Sequence, residues 1–268
     1  MHKDRKTNKQ RLDDLLVERG LFAERTQAEH AVLAGMVQSD SKVLSSPGMR
    51  IDPSTPLTLQ ATKRFVSRGG EKLDHALVTF SLSVQGFRCI DIGASTGGFT
   101  DCLLQHGAAE VCAVDVGYGQ FAWELRQDNR VRLFERTNIS TVDPAVLDAP
   151  FDLAVIDVSF TGISRLSGVI RNLIKEQGFC IALIKPQFEL PASLVSGGVV
   201  IEKELHIKAL ERAIEAFTRS RLAVRCATFS PIKGPKGNIE FFLWAQKDGI
   251  PATILVSDII EAAHAELG

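Results

Sequence analysis

The chemistry-bearing residues of this chain begin with a glycine-rich run, Asp91-Ile92-Gly93-Ala94-Ser95-Thr96-Gly97-Gly98-Phe99-Thr100-Asp101, which follows an apolar strand pattern and leads into a helical one. A turn of this kind brings a ligand against backbone amides at a helix start. Spacing narrows the ligand. A dinucleotide fingerprint needs glycine where Ser95 stands, and a Walker loop needs lysine where Phe99 stands. An acid just before the first glycine, and another, Asp115, about twenty residues on at the end of the next strand pattern, suit a ligand with a ribose and no pyrophosphate. S-adenosylmethionine is such a ligand. Its candidate contacts are Asp91, Gly93, Ala94, Ser95, Gly97, Gly98 and Phe99 around the turn, with Asp115 and Val116 at the ribose. A purely structural glycine turn is the alternative.

Four further charges stand at the ends of predicted elements: Lys72, Asp157, Lys185 and Glu240. Asp157 and Lys185 each follow an apolar run, at the carboxyl edge where open α/β sheets bind ligands. Glu240 falls inside a predicted apolar strand (239–244), where an unpaired carboxylate is costly, so a lysine partner is expected. The five cysteines are odd in number, well separated and free of any C-x-x-C pair, which reads as buried free thiols with no metal cluster. No metal is expected in the chemical step.

The elements that must position these residues fall into two classes. At 268 residues the chain suits one medium domain with a small appendage. Residues 1–10 form a basic tail. Residues 11–60 carry a helix with Leu12, Leu15 and Leu16 on one stripe, a Gly20 turn, a second helix over 26–34 closed by Gly35, and short strand patterns near 36–37, 42–44 and 57–59. Residues 61–71 are polar, basic and glycine-bearing, and read as a linker. From 72 to 268 the pattern changes. Strands at 88–92, 111–116, 131–134, 153–156, 179–184, 222–229 and 239–244 alternate, through the first five, with helices near 97–106, 119–127 and 163–175. That is an α/β doubly wound, Rossmann-like sheet ending in an antiparallel hairpin, because the turn-rich 230–237 is too short for a crossover helix. Residues 247–268 read as a helical tail without chemistry.

Net charge is −1, but residues 1–72 hold 13 basic against 9 acidic side chains. A basic N-terminal unit of two helices and a small sheet makes a plausible RNA-binding module; a general interaction domain is the bland alternative. No apolar stretch approaches the ~20 residues of a bilayer span, and the N-terminus lacks an apolar signal core, so a cytoplasmic protein is expected.

The motifs occur together as Ser67-Arg68-Gly69-Gly70-Glu71-Lys72-Leu73, Asp91 to Asp101, Val114-Asp115-Val116-Gly117-Tyr118-Gly119-Gln120, Asp157-Val158-Ser159-Phe160, Leu183-Ile184-Lys185-Pro186-Gln187-Phe188 and Ser230 to Glu240. In this order they resemble the hemolysin A/TlyA family of ribosomal RNA ribose methyltransferases, whose catalytic part is similar to FtsJ-like enzymes. The resemblance covers residues 11–246. It implies an S4-like RNA-binding domain at the N-terminus, S-adenosylmethionine as cofactor, and Lys72, Asp157, Lys185 and Glu240 as a catalytic tetrad. The implied reaction methylates the 2′-hydroxyl of cytidine in ribosomal RNA, within small and sometimes large ribosomal subunits. The RNA candidates are Arg11, Arg19, Arg25, Lys63, Arg64, Arg68, Lys233 and Lys236. Two features depart from the family pattern: residues 189–200 lack the basic side chains of the family's loop, and Phe65 stands where relatives often carry Trp. A non-catalytic RNA-binding scaffold and a membrane-lytic protein are the competing readings; the intact tetrad speaks against the first and the missing apolar span against the second.

Overall fold

A computed structural model describes residues 9–268 apart from 34, 41 and 60–63. The chain divides into two compact units, Met1–Lys63 and Arg64–Gly268.

In the first unit, β1 (Gln10–Arg11), α1 (Leu12–Glu18), α2 (Arg25–Leu33), β2 (Val37–Ser39), β3 (Lys42–Val43), β4 (Arg50–Ile51) and β5 (Thr58–Leu59) follow one another. The expected leucine stripe is the core: Leu12, Leu15 and Leu16 pack with Ala28, Ala31, Val32, Val37 and Ile51. β2 pairs antiparallel with β3 and β5, as the short strand patterns predict, while a β1–β4 ladder adds a pairing between residues some forty positions apart that no local pattern reveals.

The second unit opens with α3 (Arg68–Thr79) and continues through β6 (Arg88–Ile92), α4 (Gly98–Gln105), β7 (Glu110–Val114), α5 (Trp123–Arg126), β8 (Val131–Phe134), β9 (Phe151–Ile156), α6 (Ser167–Leu173), β10 (Ile174–Ile184), α7 (Pro186–Glu189), α8 (Lys203–Arg219), β11 (Leu222–Phe229), β12 (Phe241–Lys247) and α9 (Val256–Leu267). The sheet order is β11-β12-β10-β9-β6-β7-β8. Strands β8 to β10 run parallel, and β12 lies antiparallel between β10 and β11. The hairpin is thus present, but its second strand is the one inserted beside β10. Side-chain alternation along the strands builds two cores, one per face. Ile90, Ile92, Ala154, Ile156, Ala182 and Ile184 meet α6, α8 and α9, while Cys89, Leu153, Val155, Ile181 and Leu183 meet α3, α4 and α5.

Four expectations shift. The segment read as linker to residue 71 already turns into helix at Arg68, because Gly69 and Gly70 lie against Phe99 and Phe65 and the turn is stabilised by packing rather than by propensity. Helix α5 is four residues long. β10 starts at Ile174, five residues early, with a register irregularity before Phe179. Glu240 sits just before β12 instead of within it. The longest helix, α8, was not read from sequence, although its buried His206, Ala209, Leu210, Ala213, Ala216 and Phe217 recur at helical spacing. Among the described residues no helix is long and apolar enough to cross a membrane.

Candidate active site

The glycine-rich loop leaves β6 at the carboxyl edge of the sheet and doubles back under the ends of β7 and β9. Gly93 donates its N–H to the Val114 carbonyl at 2.9 Å. Its φ is +86°, and a Cβ there would stand 2.5 Å from the Asp157 carbonyl oxygen, so glycine alone fits. At Gly98 a Cβ would approach the Gly70 nitrogen to 2.9 Å, which is how the start of α4 nests against the start of α3. Asp115, one residue past β7, accepts the Ser95 N–H at 2.8 Å and the Gly117 N–H at 2.6 Å. Its carboxylate therefore ties the glycine loop to the next loop. Its oxygens retain lone pairs for a ribose hydroxyl.

These loops wall a cavity of about 610 Å³, a size that suits a cofactor. Gly93, Ser95, Asp115 and Val116 line it, together with Thr137 to Ser140 after β8, Asp157 to Thr161, Arg165 and Leu166. A second cavity of about 210 Å³ is lined by Ala94, Gly98, Phe99, Arg68, Lys72 and Asp157 among others. The two share Gly93, Ser95 and Asp157. Of the cofactor candidates, Asp91 and Gly97 line neither. Asp91 is fully buried, accepts the Thr100 hydroxyl at 2.7 Å and leaves its other oxygen unpartnered. Burial first, then the charges of Asp157 and Asp115, push its carboxyl up to about 7. It supports the loop from beneath.

The tetrad candidates form two ion pairs. Lys185 Nζ lies 2.5 Å from Asp157 Oδ1 and 3.1 Å from the Ser159 hydroxyl, joining the ends of neighbouring parallel strands. Lys72 Nζ lies 2.5 Å from Glu240 Oε2, with both side chains buried. The expected lysine partner of Glu240 is thus found, supplied by α3. The smaller cavity takes one member from each pair, Lys72 and Asp157.

The RNA candidates are scattered and mostly engaged. Arg11 and Arg25 reach Asp13 at 2.5 and 3.3 Å, Arg19 donates to the Thr55 carbonyl at 2.9 Å, and Arg64 pairs with Asp74 at 2.5 Å. Arg68 lines the smaller cavity and Lys236 reaches the turn at Gly198. Lys63 lies outside the described residues. The loop at 189–200 is held by Asn238, which accepts the Val200 N–H at 2.8 Å and donates to the Gly198 carbonyl at 2.9 Å.

Sequence reading missed Asn138 and its neighbours, which follow a strand at the ligand edge and carry that positional signal. It also missed the grouping of Asp74, Cys102 and His106, whose ligand-type atoms lie within 4.8 Å of one another. Arg64 and His106 already satisfy Asp74 in that group.

A parallel doubly wound sheet with one antiparallel strand inserted near its edge, an acid lining the cavity after the second parallel strand and a cofactor-sized cavity at the carboxyl edge define a Rossmann-like methyltransferase. The chain belongs to the FtsJ-like methyltransferase family, which residues 65–247 match. It is 46% identical over 240 residues to YqxC of Bacillus subtilis, described provisionally as an rRNA methyltransferase, covering 88% of this chain and 85% of that one. It is 40% identical over 240 residues to the 16S/23S rRNA (cytidine-2′-O)-methyltransferase TlyA of Mycobacterium tuberculosis, covering 87% and 88%. A solved Streptococcus thermophilus structure, described provisionally as a hemolysin, aligns with a TM-score of 0.75 at 40% identity over 97% of both chains. The protein is accordingly an S-adenosylmethionine-dependent methyltransferase, and the glycine cradle at Gly93 with Asp115 beyond it fits that cofactor.

Proposed function

We propose that this protein methylates the ribose 2′-hydroxyl of a cytidine in ribosomal RNA, in the small subunit or in both, within the cytoplasm where ribosomes are assembled. The carrying observation is that Asp157, which Lys185 pairs with, lines both cavities, while Lys72 lines the smaller one. S-adenosylmethionine, when bound, supplies an electrophilic methyl group. A ribose hydroxyl is a weak nucleophile, so the protein must orient it in line and help it lose a proton. In this reading the larger cavity holds the cofactor and the smaller admits the ribose. Lys185 orients the hydroxyl, and the Lys185–Asp157 pair takes up the proton that the 2′-oxygen releases. Lys72, fixed by Glu240, holds the ribose or its phosphate.

Phe160 supports a nucleotide substrate. It is 92% exposed at the rim of the larger cavity and holds a φ of +65°. Strain and apolar exposure in one residue suit a platform on which a base stacks. The N-terminal unit at residues 11–60 acts as an S4-like RNA-binding domain, with Arg11, Arg19 and Arg25 toward phosphates, and Arg64, Arg68, Lys233 and Lys236 add basic contacts in the catalytic unit.

Mass-spectrometric mapping of ribose methylation on unmodified ribosomal subunits, incubated with S-adenosylmethionine and either the wild type or Lys185→Ala, tests this. A methylated cytidine made by the wild type alone is expected. No ribose methyl on either subunit, with cofactor binding demonstrated, would overturn the proposal.

A further inference from the structure

The turn that follows Lys185 is fastened to the wall of the larger cavity. α7 begins at Pro186 directly after Lys185 and ends at Glu189, whose carboxylate is 7% exposed. Glu189 Oε1 accepts the backbone N–H of Ile163 at 2.7 Å. Burial pushes its carboxyl up to about 7, opposed by that N–H and by the charge of Arg212 on α8. Gly162 makes room for it: a Cβ there would stand 2.9 Å from Glu189 Oε2 and 3.0 Å from the Phe188 carbonyl oxygen.

Two further contacts run parallel to this one. The Phe188 ring lies beside that of Phe160, tilted with centroids 5.5 Å apart, and Lys185 donates to Ser159. Residues 159, 160 and 163 therefore each touch the 185–189 turn. The segment that carries them lines the larger cavity on both sides of Ile163, through Asp157 to Thr161 and through Arg165 and Leu166, and it has no helix or strand of its own until the short 3₁₀ turn at Ile163–Arg165. Phe160 keeps its left-handed backbone there, which persists only where the surroundings over-determine it. Among these contacts, the Glu189 bond is the buried one.

We propose that Glu189 is a positioning residue: by holding the Ile163 N–H it clips the 157–166 segment to the Lys185 turn and so sets the cofactor cavity wall and the Asp157–Lys185 pair together. The inference rests on the assignment of the larger cavity to the cofactor and of Lys185 to the reacting hydroxyl. Glu189 itself touches neither.

Calorimetric titration with S-adenosylhomocysteine, run beside steady-state methylation of unmodified subunits, separates the outcomes. Glu189→Ala is expected to weaken cofactor affinity about tenfold or more and to raise the cofactor KM by a similar factor, with a smaller effect on kcat. Glu189→Gln keeps an oxygen for the Ile163 N–H and is expected to restore both to within about threefold of wild type. Should Glu189→Ala fail to fold, Gly162→Ala presses the same contact from the other side with the carboxylate retained, and the same loss of affinity is expected. Unchanged cofactor affinity in the variant that folds, or a Gln variant as impaired as the Ala one, would overturn the proposal. A wild type that binds the cofactor but methylates neither subunit would refute the substrate assignment instead, while the affinity series still decides the role of Glu189.

Discussion

Gly93 lies directly beneath the backbone of Asp157. The bare α-carbon of the first loop glycine faces the Asp157 carbonyl, whose oxygen and carbon would stand 2.5 and 2.9 Å from any Cβ, while the Asp157 N–H is held 2.9 Å from the Ile92 carbonyl. Both cavities are bounded by this contact. The obstructing atoms are main chain, anchored between buried parallel strands, and cannot swing aside.

Gly93→Ala should therefore displace the glycine-rich loop from the sheet edge. It also meets the cost of a positive φ for a residue with a Cβ, roughly 1–2 kcal/mol. Cofactor affinity is expected to fall at least about 100-fold, beyond what that stability loss alone explains. Calorimetric titration beside thermal unfolding checks it, and an Ala variant that binds normally contradicts the steric argument.

Lys72 and Glu240 are a buried pair drawn from α3 and the approach to β12. Removing one partner leaves a buried charge, so Glu240→Ala should destabilise the catalytic unit by about 3–5 kcal/mol. The double change Lys72→Met with Glu240→Leu should recover most of that loss in urea denaturation and still fail to methylate RNA. Recovery of activity in the double variant would remove Lys72 from the reaction.

Lys185→Ala should lower kcat by roughly 10²–10⁴, the usual range for a general acid–base group, with cofactor affinity within about threefold of wild type. Lys185→Arg should not restore the rate, because a guanidinium cannot give up a proton. Single-turnover methylation measures both. A wild-type rate in the Arg variant would leave Lys185 with an orienting role only.

Asp91 gives a pH prediction. Its folded-state carboxyl is raised to about 7, whereas an unfolded aspartate titrates near pH 4. The native state therefore holds a proton that the unfolded chain has lost, and the stability linked to it is full below about pH 4 and disappears as pH rises through about 7. Asp91→Asn lacks this dependence while still accepting the Thr100 hydroxyl. The stability of the wild type relative to Asp91→Asn should fall by up to about 4 kcal/mol between pH 4 and pH 7 in denaturant titrations. A flat difference across that range would mean that Asp91 is ionised in the native state.

What the sequence determined by itself is what short-range pattern can carry. Period-two and unbroken apolar runs marked β6 to β11, since a buried parallel strand must be apolar on both faces. The glycine loop was legible because its backbone conformation admits few residue types, and Asp157 and Lys185 because a charge after an apolar run marks the ligand edge. Only tertiary structure decided the rest. The Lys72–Glu240 pair spans 168 positions, and the placement of β12 between β10 and β11 is set by which edge the β11–β12 hairpin can cover. Asp91 and Asp115 look alike in sequence, yet one is buried under Thr100 and the other stands at the mouth of the cavity. Asn138 carried only the signal of its place after a strand and Glu189 none, because what a loop residue touches depends on which strand ends the sheet order makes neighbours.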